Sequence, residues 1–364
     1  MEVNVTEHGD TSVTLKVILP ASDLDAERGT ALAHLGSGVS VSGFRKGHIP
    51  EHVLAQHVES GALLREMANR VVSKALPRII AERALRIVGR PSVSITKLAP
   101  GNPLEFTLSA EILPDVTLPD YKAIAARMNG KKPESARVTD GEIENAILEI
   151  QKRAAIANQQ LKTNNKRPEE GLLPELTNEF VAKLGPYASV SDFRETLRGE
   201  LRARKSRLES ERHRLDIIEA IIAVSPPKLP SVLVEGELDT MLAQLYADLE
   251  RAGLTQEQYL SQLGKTKEEL RSEWRSEAEK RARIQLILNE IARAENIKAD
   301  DGAVDRQTKA LLAQYPPKSG DLKRAGEAAR MYVRTMLTNE AVFSFLEQQE
   351  KQEDDTVGNK KENG

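Results

Sequence analysis

Apolar residues at Val13, Leu15, Val17 and Leu19 alternate with Thr14, Lys16 and Ile18, the period of two that marks a half-buried strand. A turn at Gly9-Asp10 places a partner before it, so residues 2–19 are predicted to form two strands. Helical periodicity follows from Pro20 to Leu35, with Ser22 or Asp23 to cap the helix and Gly36 to stop it. Two further helices are expected from Glu51 to Val58 and from Leu63 to Leu85, the second stopped near Gly89-Arg90-Pro91. Strands at Ser92 to Leu98 and Leu104 to Ile112 complete the set. Strands at both ends with helices between them predict an α+β domain over residues 1–112, an antiparallel sheet packed on helices.

Residues 113–172 are expected to be an extended linker holding one helix. Pro114, Pro119 and Pro133 break any period, and Thr139-Asp140-Gly141-Glu142 opens a helix with Ile143, Ile147, Ile150 and Ile156 as its apolar positions. From residue 173 to 349 the pattern is almost wholly helical, which predicts an α-helical domain with long arms. A run from Asp192 places Phe193, Leu197, Leu201, Leu208, Leu215 and Ile222 on one stripe. The last four fall at seven-residue spacing, but Arg204 and Glu211 hold the complementary seam. The stripe is therefore too narrow for a free-standing coiled coil until it broadens at Leu215. That helix, about 45–50 Å long at the usual rise, ends at Ser225-Pro226-Pro227, and the next spans Ser231 to Arg251. Thr255 with Gln258, and Thr266 with Glu269, read as capping boxes. Asp300-Asp301 and Pro316-Pro317 punctuate two more helices, the last reaching Gln349, and the charged tail 350–364 is expected to be disordered.

Composition removes several functions. The 364 residues contain no cysteine, which excludes disulfides, thiolate metal sites and cysteine nucleophiles. The net charge of −3 argues against a general nucleic-acid binder, so any contact with RNA has to come from a local patch. No segment has the apolar length to span a bilayer, and the N-terminus has neither a basic region nor an apolar one, so a cytoplasmic location is expected. His48, His52 and His57 cluster but do not share a helical face, so no metal site is expected. Gly264-Lys265-Thr266 lacks the upstream glycine and strand of a phosphate loop and reads as a helix stop followed by a cap. Asp and Glu lie at helical spacing among Lys and Arg, as on solvated faces. No catalytic constellation and no cofactor site emerges, and the chain is expected not to be an enzyme.

The run Gly43-Phe44-Arg45-Lys46-Gly47-His48-Ile49-Pro50 stands apart. Gly43 and Gly47 permit sharp turns on both sides of the triplet, and Pro50 suits a helix start. Phe44, Arg45 and Lys46 are thus expected on a short stiff loop, an aromatic to cover apolar surface beside cations that pair with carboxylate or phosphate. The whole run resembles the ribosome-docking signature of the trigger factor family of bacterial chaperones, with His48 where that family usually has Lys. The stretches Gly264-Lys265-Thr266-Lys267-Glu268-Glu269-Leu270-Arg271 and Ile291-Ala292-Arg293-Ala294-Glu295-Asn296-Ile297 are similar to the helical arms of the same family.

The resemblance implies an ATP-independent chaperone that docks on the large ribosomal subunit, on ribosomal protein and rRNA at the exit tunnel, and shields nascent chains. Gly43, Phe44, Arg45, Lys46, Gly47, His48 and Pro50 would form the docking loop. Dimerisation off the ribosome is common in that family. Most members carry a prolyl isomerase domain ahead of a Leu-Pro-Glu-Leu segment, whereas here Leu173-Pro174-Glu175-Leu176 follows a short polar linker. No aromatic lies between Tyr121 and Phe180 to grip a prolyl ring, and such a domain needs on the order of 100 residues. The isomerase domain is therefore read as absent. Capturing unfolded chains takes adaptable apolar surface, for which Met241, Tyr246, Met331, Tyr332 and Met336 are candidates, though a plain core role fits the same spacing. The alternative function is a free helical scaffold or holdase that assembles folded partners away from the ribosome.

Overall fold

The computed structural model describes residues 1–37, 44, 49–131, 137–160, 173–315 and 322–350. In chain order the elements begin with β1 (Glu2–His8), β2 (Ser12–Leu19), α1 (Ala21–Ala26), α2 (Arg28–Gly36), α3 (Glu51–His57), α4 (Ser60–Glu82), β3 (Ile87–Lys97) and β4 (Leu104–Ile112). They continue with α5 (Tyr121–Asn129), α6 (Asp140–Gln160), α7 (Asn178–Leu184), α8 (Val190–Val224), α9 (Ser231–Arg251), α10 (Gln256–Leu263), α11 (Lys267–Ala294), α12 (Asp301–Gln314) and α13 (Leu322–Glu347). The chain forms an α+β region with an antiparallel sheet followed by a largely helical remainder, and it divides into two compact units. One joins residues 1–118 with 225–291, and the other joins 119–224 with 292–364.

In the first unit the strands run antiparallel in the order β1-β2-β4-β3. The register places Val13, Leu15, Val17 and Leu19 opposite Ala110, Leu108, Phe106 and Leu104. All eight are buried, so the period-two pattern builds one continuous apolar face. Leu24, Leu32, Leu63, Met67, Val71 and Ile79 from α1, α2 and α4 cover that face. Two details depart from the sequence reading. The expected single helix over Pro20–Leu35 is broken at Glu27, a buried carboxylate drawn to Lys74 and Arg70 on α4. And β3 passes through Gly89-Arg90-Pro91 instead of starting after it, with a register shift between Val88 and Ser92. An edge strand tolerates this, because one side of its ladder needs no donor from proline.

The same unit holds the helical pair α9 and α11. Val234 and Leu238 pack on Ala278, with Met241 and Trp274 alongside. Arg271 and then Arg275 bind Glu235 and hold its carboxyl below the usual range. The pair is fastened to the sheet. Glu111 at the end of β4 accepts hydrogen bonds from Ser231 Oγ and from the Val232 backbone N–H at 2.8 Å, capping α9, which has no side-chain cap of its own. Arg86 pairs with Glu290, which is 2% exposed.

In the second unit Ile143 and Ile147 of α6, Val181 of α7, and Phe193 and Leu197 of α8 form a small core. The stretch read as extended linker contains α5, which Asp120 caps by accepting from the Ala123 N–H at 3.0 Å. Helix α5 lies on α8 and α13, where Ile217, Ile218 and Ile221 are buried. A single side chain joins these three helices. Asn129 Nδ2 donates to the carbonyls of Leu346, Glu347 and Gln349 at 2.9, 3.2 and 2.9 Å, while its Oδ1 lies 2.9 Å from His213 Nε2.

Candidate functional site

The loop predicted to dock lies between α2 and α3, and the fold pins both of its ends. A side chain at Gly36 would meet Leu54 at 2.7 Å, so the end of α2 sits directly on α3. On the far side Ile49 packs against the core, and the Pro50 carbonyl accepts from the Val53 and Leu54 N–H groups at 3.0 Å each, opening α3. Behind the loop, His34 Nδ1 and Arg70 reach the same Glu66 carboxylate at 3.0 and 3.1 Å, tying α2 to α4. Phe44 stands out from this base at 42% exposed, a large apolar ring held toward solvent. Gly43, Arg45, Lys46, Gly47 and His48 lie outside the described residues.

The candidates for apolar capture separate by their neighbours. Met241 packs against the Val234–Leu238–Ala278 cluster and Tyr246 is half-buried, both on α9. On α13, Arg330 and Arg334 turn toward α12, pairing with Asp305 and Asp301 at 3.0 and 2.6 Å, and Val333 is buried between them. Helical pitch then forces Met331, Tyr332 and Met336 outward, and they are 72%, 63% and 42% exposed. Tyr315 and Leu322, at the facing ends of α12 and α13, are also exposed. Sequence reasoning passed over both. The signal available was their position on either side of Pro316-Pro317, where a helical hairpin has to turn.

A cavity of about 570 Å³ in the first unit is lined by His8, Arg83, Arg86, Pro114, Pro226 and Lys228 among others, with no Phe, Tyr or Trp among the lining residues. Among the described residues no group of His, Cys, Asp or Glu is arranged to hold a metal ion. Nor, among them, is any helix long and apolar enough to cross a membrane.

The family model described as "Bacterial trigger factor protein (TF)" matches residues 1–150, and that of the trigger factor C-terminus matches residues 189–349. The trigger factor of Agathobacter rectalis is 24% identical, the alignment covering 89% of each chain. That of Pelotomaculum thermopropionicum is 21% identical over 98% of this chain and 99% of its own. A solved structure reported as "Promiscuous Substrate Recognition in Folding and Assembly Activities of the Trigger Factor Chaperone" shares the fold, with a TM-score of 0.50, 15% identity, and coverage of 96% of this chain and 100% of the other. The sheet, the helical arms and these matches define a molecular chaperone. The chain belongs to the trigger factor family, as a form without the prolyl isomerase domain: only residues 151–188 separate the two matched segments. The Pelotomaculum alignment runs over 434 positions, so that relative carries residues for which this 364-residue chain has no counterpart.

Proposed function

We propose that the chain is an ATP-independent chaperone that docks on the large ribosomal subunit and shields emerging polypeptides without isomerising their prolines. The observation that carries the docking is Phe44, a 42% exposed aromatic within the Gly43–Pro50 run, on a loop whose two ends are fixed. Phe44 would pack on ribosomal protein, and Arg45 and Lys46 would pair with acidic side chains or RNA phosphate, which makes the affinity salt-dependent. Met331, Tyr332 and Met336 offer adaptable apolar contacts to an unfolded chain. Absence of isomerase activity is the expectation from the missing domain, with no aromatic between Tyr121 and Phe180 to wall a prolyl pocket.

The test is co-sedimentation with bacterial ribosomes at low and moderate salt. The intact chain should pellet with them, and Phe44→Ala/Arg45→Ala/Lys46→Ala should bind about tenfold or more weakly, as expected when the anchor of an interface is removed. Equal pelleting of both chains, or of neither, refutes docking through this loop. Acceleration of a proline-limited refolding reaction by the chain would refute the second half of the reading.

A further inference from the structure

Sulfur in this chain is all thioether. There is no cysteine, and there are six methionines: Met1, Met67, Met128, Met241, Met331 and Met336. Packing divides them. Met67 is 4% exposed in the core beside the sheet, Met128 is half-buried, and Met241 lies against the Val234–Leu238–Ala278 cluster. Met331 and Met336 stand exposed on α13, and exposed Tyr332 lies one turn before Met336. Other residues hold that helix in place. Val333, Val342 and Leu346 are its buried side chains, and Arg330 and Arg334 pair with Asp305 and Asp301 of α12. A change of chemistry at the two exposed sulfurs therefore leaves the helix packed. The run Gly43–Pro50 contains no sulfur, so the same change leaves that loop as it was.

We propose that Met331 and Met336 are a modification site, at which hydroperoxides oxidise the thioethers to sulfoxides and so turn down the capture of unfolded chains without disturbing the fold. In each step the sulfur lone pair attacks one peroxide oxygen and the O–O bond breaks. The sulfur gives up two electrons and keeps that oxygen, whose proton passes to the departing hydroxide, and the hydroxide leaves as water. Access of peroxide to the sulfur sets the rate, so the exposed pair reacts ahead of Met67 and Met241. The product is a polar, chiral group where an adaptable apolar one stood. The step is reversible. A methionine sulfoxide reductase removes the oxygen as water while two thiols of the reductant become a disulfide. The effect on capture rests on the reading of α13 as a client surface; the order of oxidation does not.

Treatment of the full chain with dilute hydrogen peroxide, stopped with catalase, tests it. Peptide mass spectrometry should find sulfoxide at Met331 and Met336, and at exposed Met1, forming about tenfold or more faster than at Met67 and Met241. The circular dichroism should not change. The probe for capture is fluorescently labelled carboxymethylated lactalbumin, an unfolded chain, read by anisotropy. Its affinity should fall about tenfold as two apolar contacts turn polar, and sulfoxide reductases A and B with dithiothreitol should restore it. Met331→Leu/Met336→Leu, whatever affinity it starts from, should lose none on treatment. Oxidation of Met67 or Met241 first, or an equal loss in the leucine variant, overturns the proposal. So does an unchanged affinity when both exposed sulfurs are oxidised, and Met331→Glu/Met336→Glu then separates the causes. If the glutamate variant binds the probe as tightly as the untreated chain, α13 is not the client surface and the capture reading falls too. If it binds weakly, capture on α13 stands and the oxidation switch alone is refuted.

Discussion

Asn129 is the most economical place to break the second unit. Three backbone carbonyls at the end of α13 face its amide, and carbonyls only accept, so Nδ2 points to them and Oδ1 accepts from His213 Nε2–H. Two amide hydrogens serve three acceptors, so at most two of those bonds are fully formed at once. At about 1 kcal/mol net for each bond, plus a penalty where the partly buried partners go unsatisfied, Asn129→Ala should cost about 2–4 kcal/mol. Asn129→Asp has the same shape but no donor, and at neutral pH sets a carboxylate among carbonyl oxygens. It should therefore be worse than alanine. The folded state raises that carboxyl above its unfolded value of about 3.9. Its protonated form, which donates one hydrogen bond, keeps the variant stable at low pH, and stability is lost as pH rises through the folded-state pKa. Urea unfolding followed by circular dichroism gives the loss, and hydrogen exchange over residues 339–350 shows whether the end of α13 opens first. If the aspartate variant matches the wild type at pH 7, or is milder than alanine, Asn129 is a packing residue and the capping argument fails.

Two further outcomes follow from the geometry around Tyr121 and Gly89. Burial, and then the hydrogen bond to Glu295, push the Tyr121 phenol up to about 12; the folded state therefore resists its ionisation, and stability should fall as pH rises from about 10 to about 12, a decline that Tyr121→Phe should flatten in alkaline unfolding curves. Gly89 has φ +72° and a side chain there would stand 2.7 Å from Val232 Cγ2, so Gly89→Ala should cost about 2–4 kcal/mol through strain and overpacking; adding Val232→Ala should recover the steric part, read by the fluorescence of the single Trp274.

What the sequence disclosed depends on how far away the deciding partner lies. The alternation in β2 and β4, the bounds of α9 and the capping box of Thr255 with Gln258 are local patterns, and the structure repeats them. The break at Glu27 is decided by Lys74, 47 positions on, and the attachment of α9 by Glu111, 121 positions before Val232. No window of periodicity contains such pairs. Helix α5 was legible in part: Asp120 before Ile124-Ala125-Ala126 is a cap before a buried face, but the surrounding prolines masked it. Met241 and Met331 illustrate the limit for the capture surface. Both sit at ordinary helical spacing, and only a neighbouring helix decides that the first is packed and the second is bare.

Each compact unit is interrupted in the chain by a piece of the other, and this orders the protein's own birth. The sheet is complete once residue 112 has emerged, but its partners in α9 and α11 are still to be made. At about 5–20 residues per second, residue 291 follows residue 118 by on the order of 10–30 s. Through that interval Glu111, Arg86 and Asp10 wait without Val232, Glu290 and Lys228, the groups that later engage them. The second unit waits in turn for α12 and α13. A chaperone is itself, for much of its synthesis, a half-assembled chain.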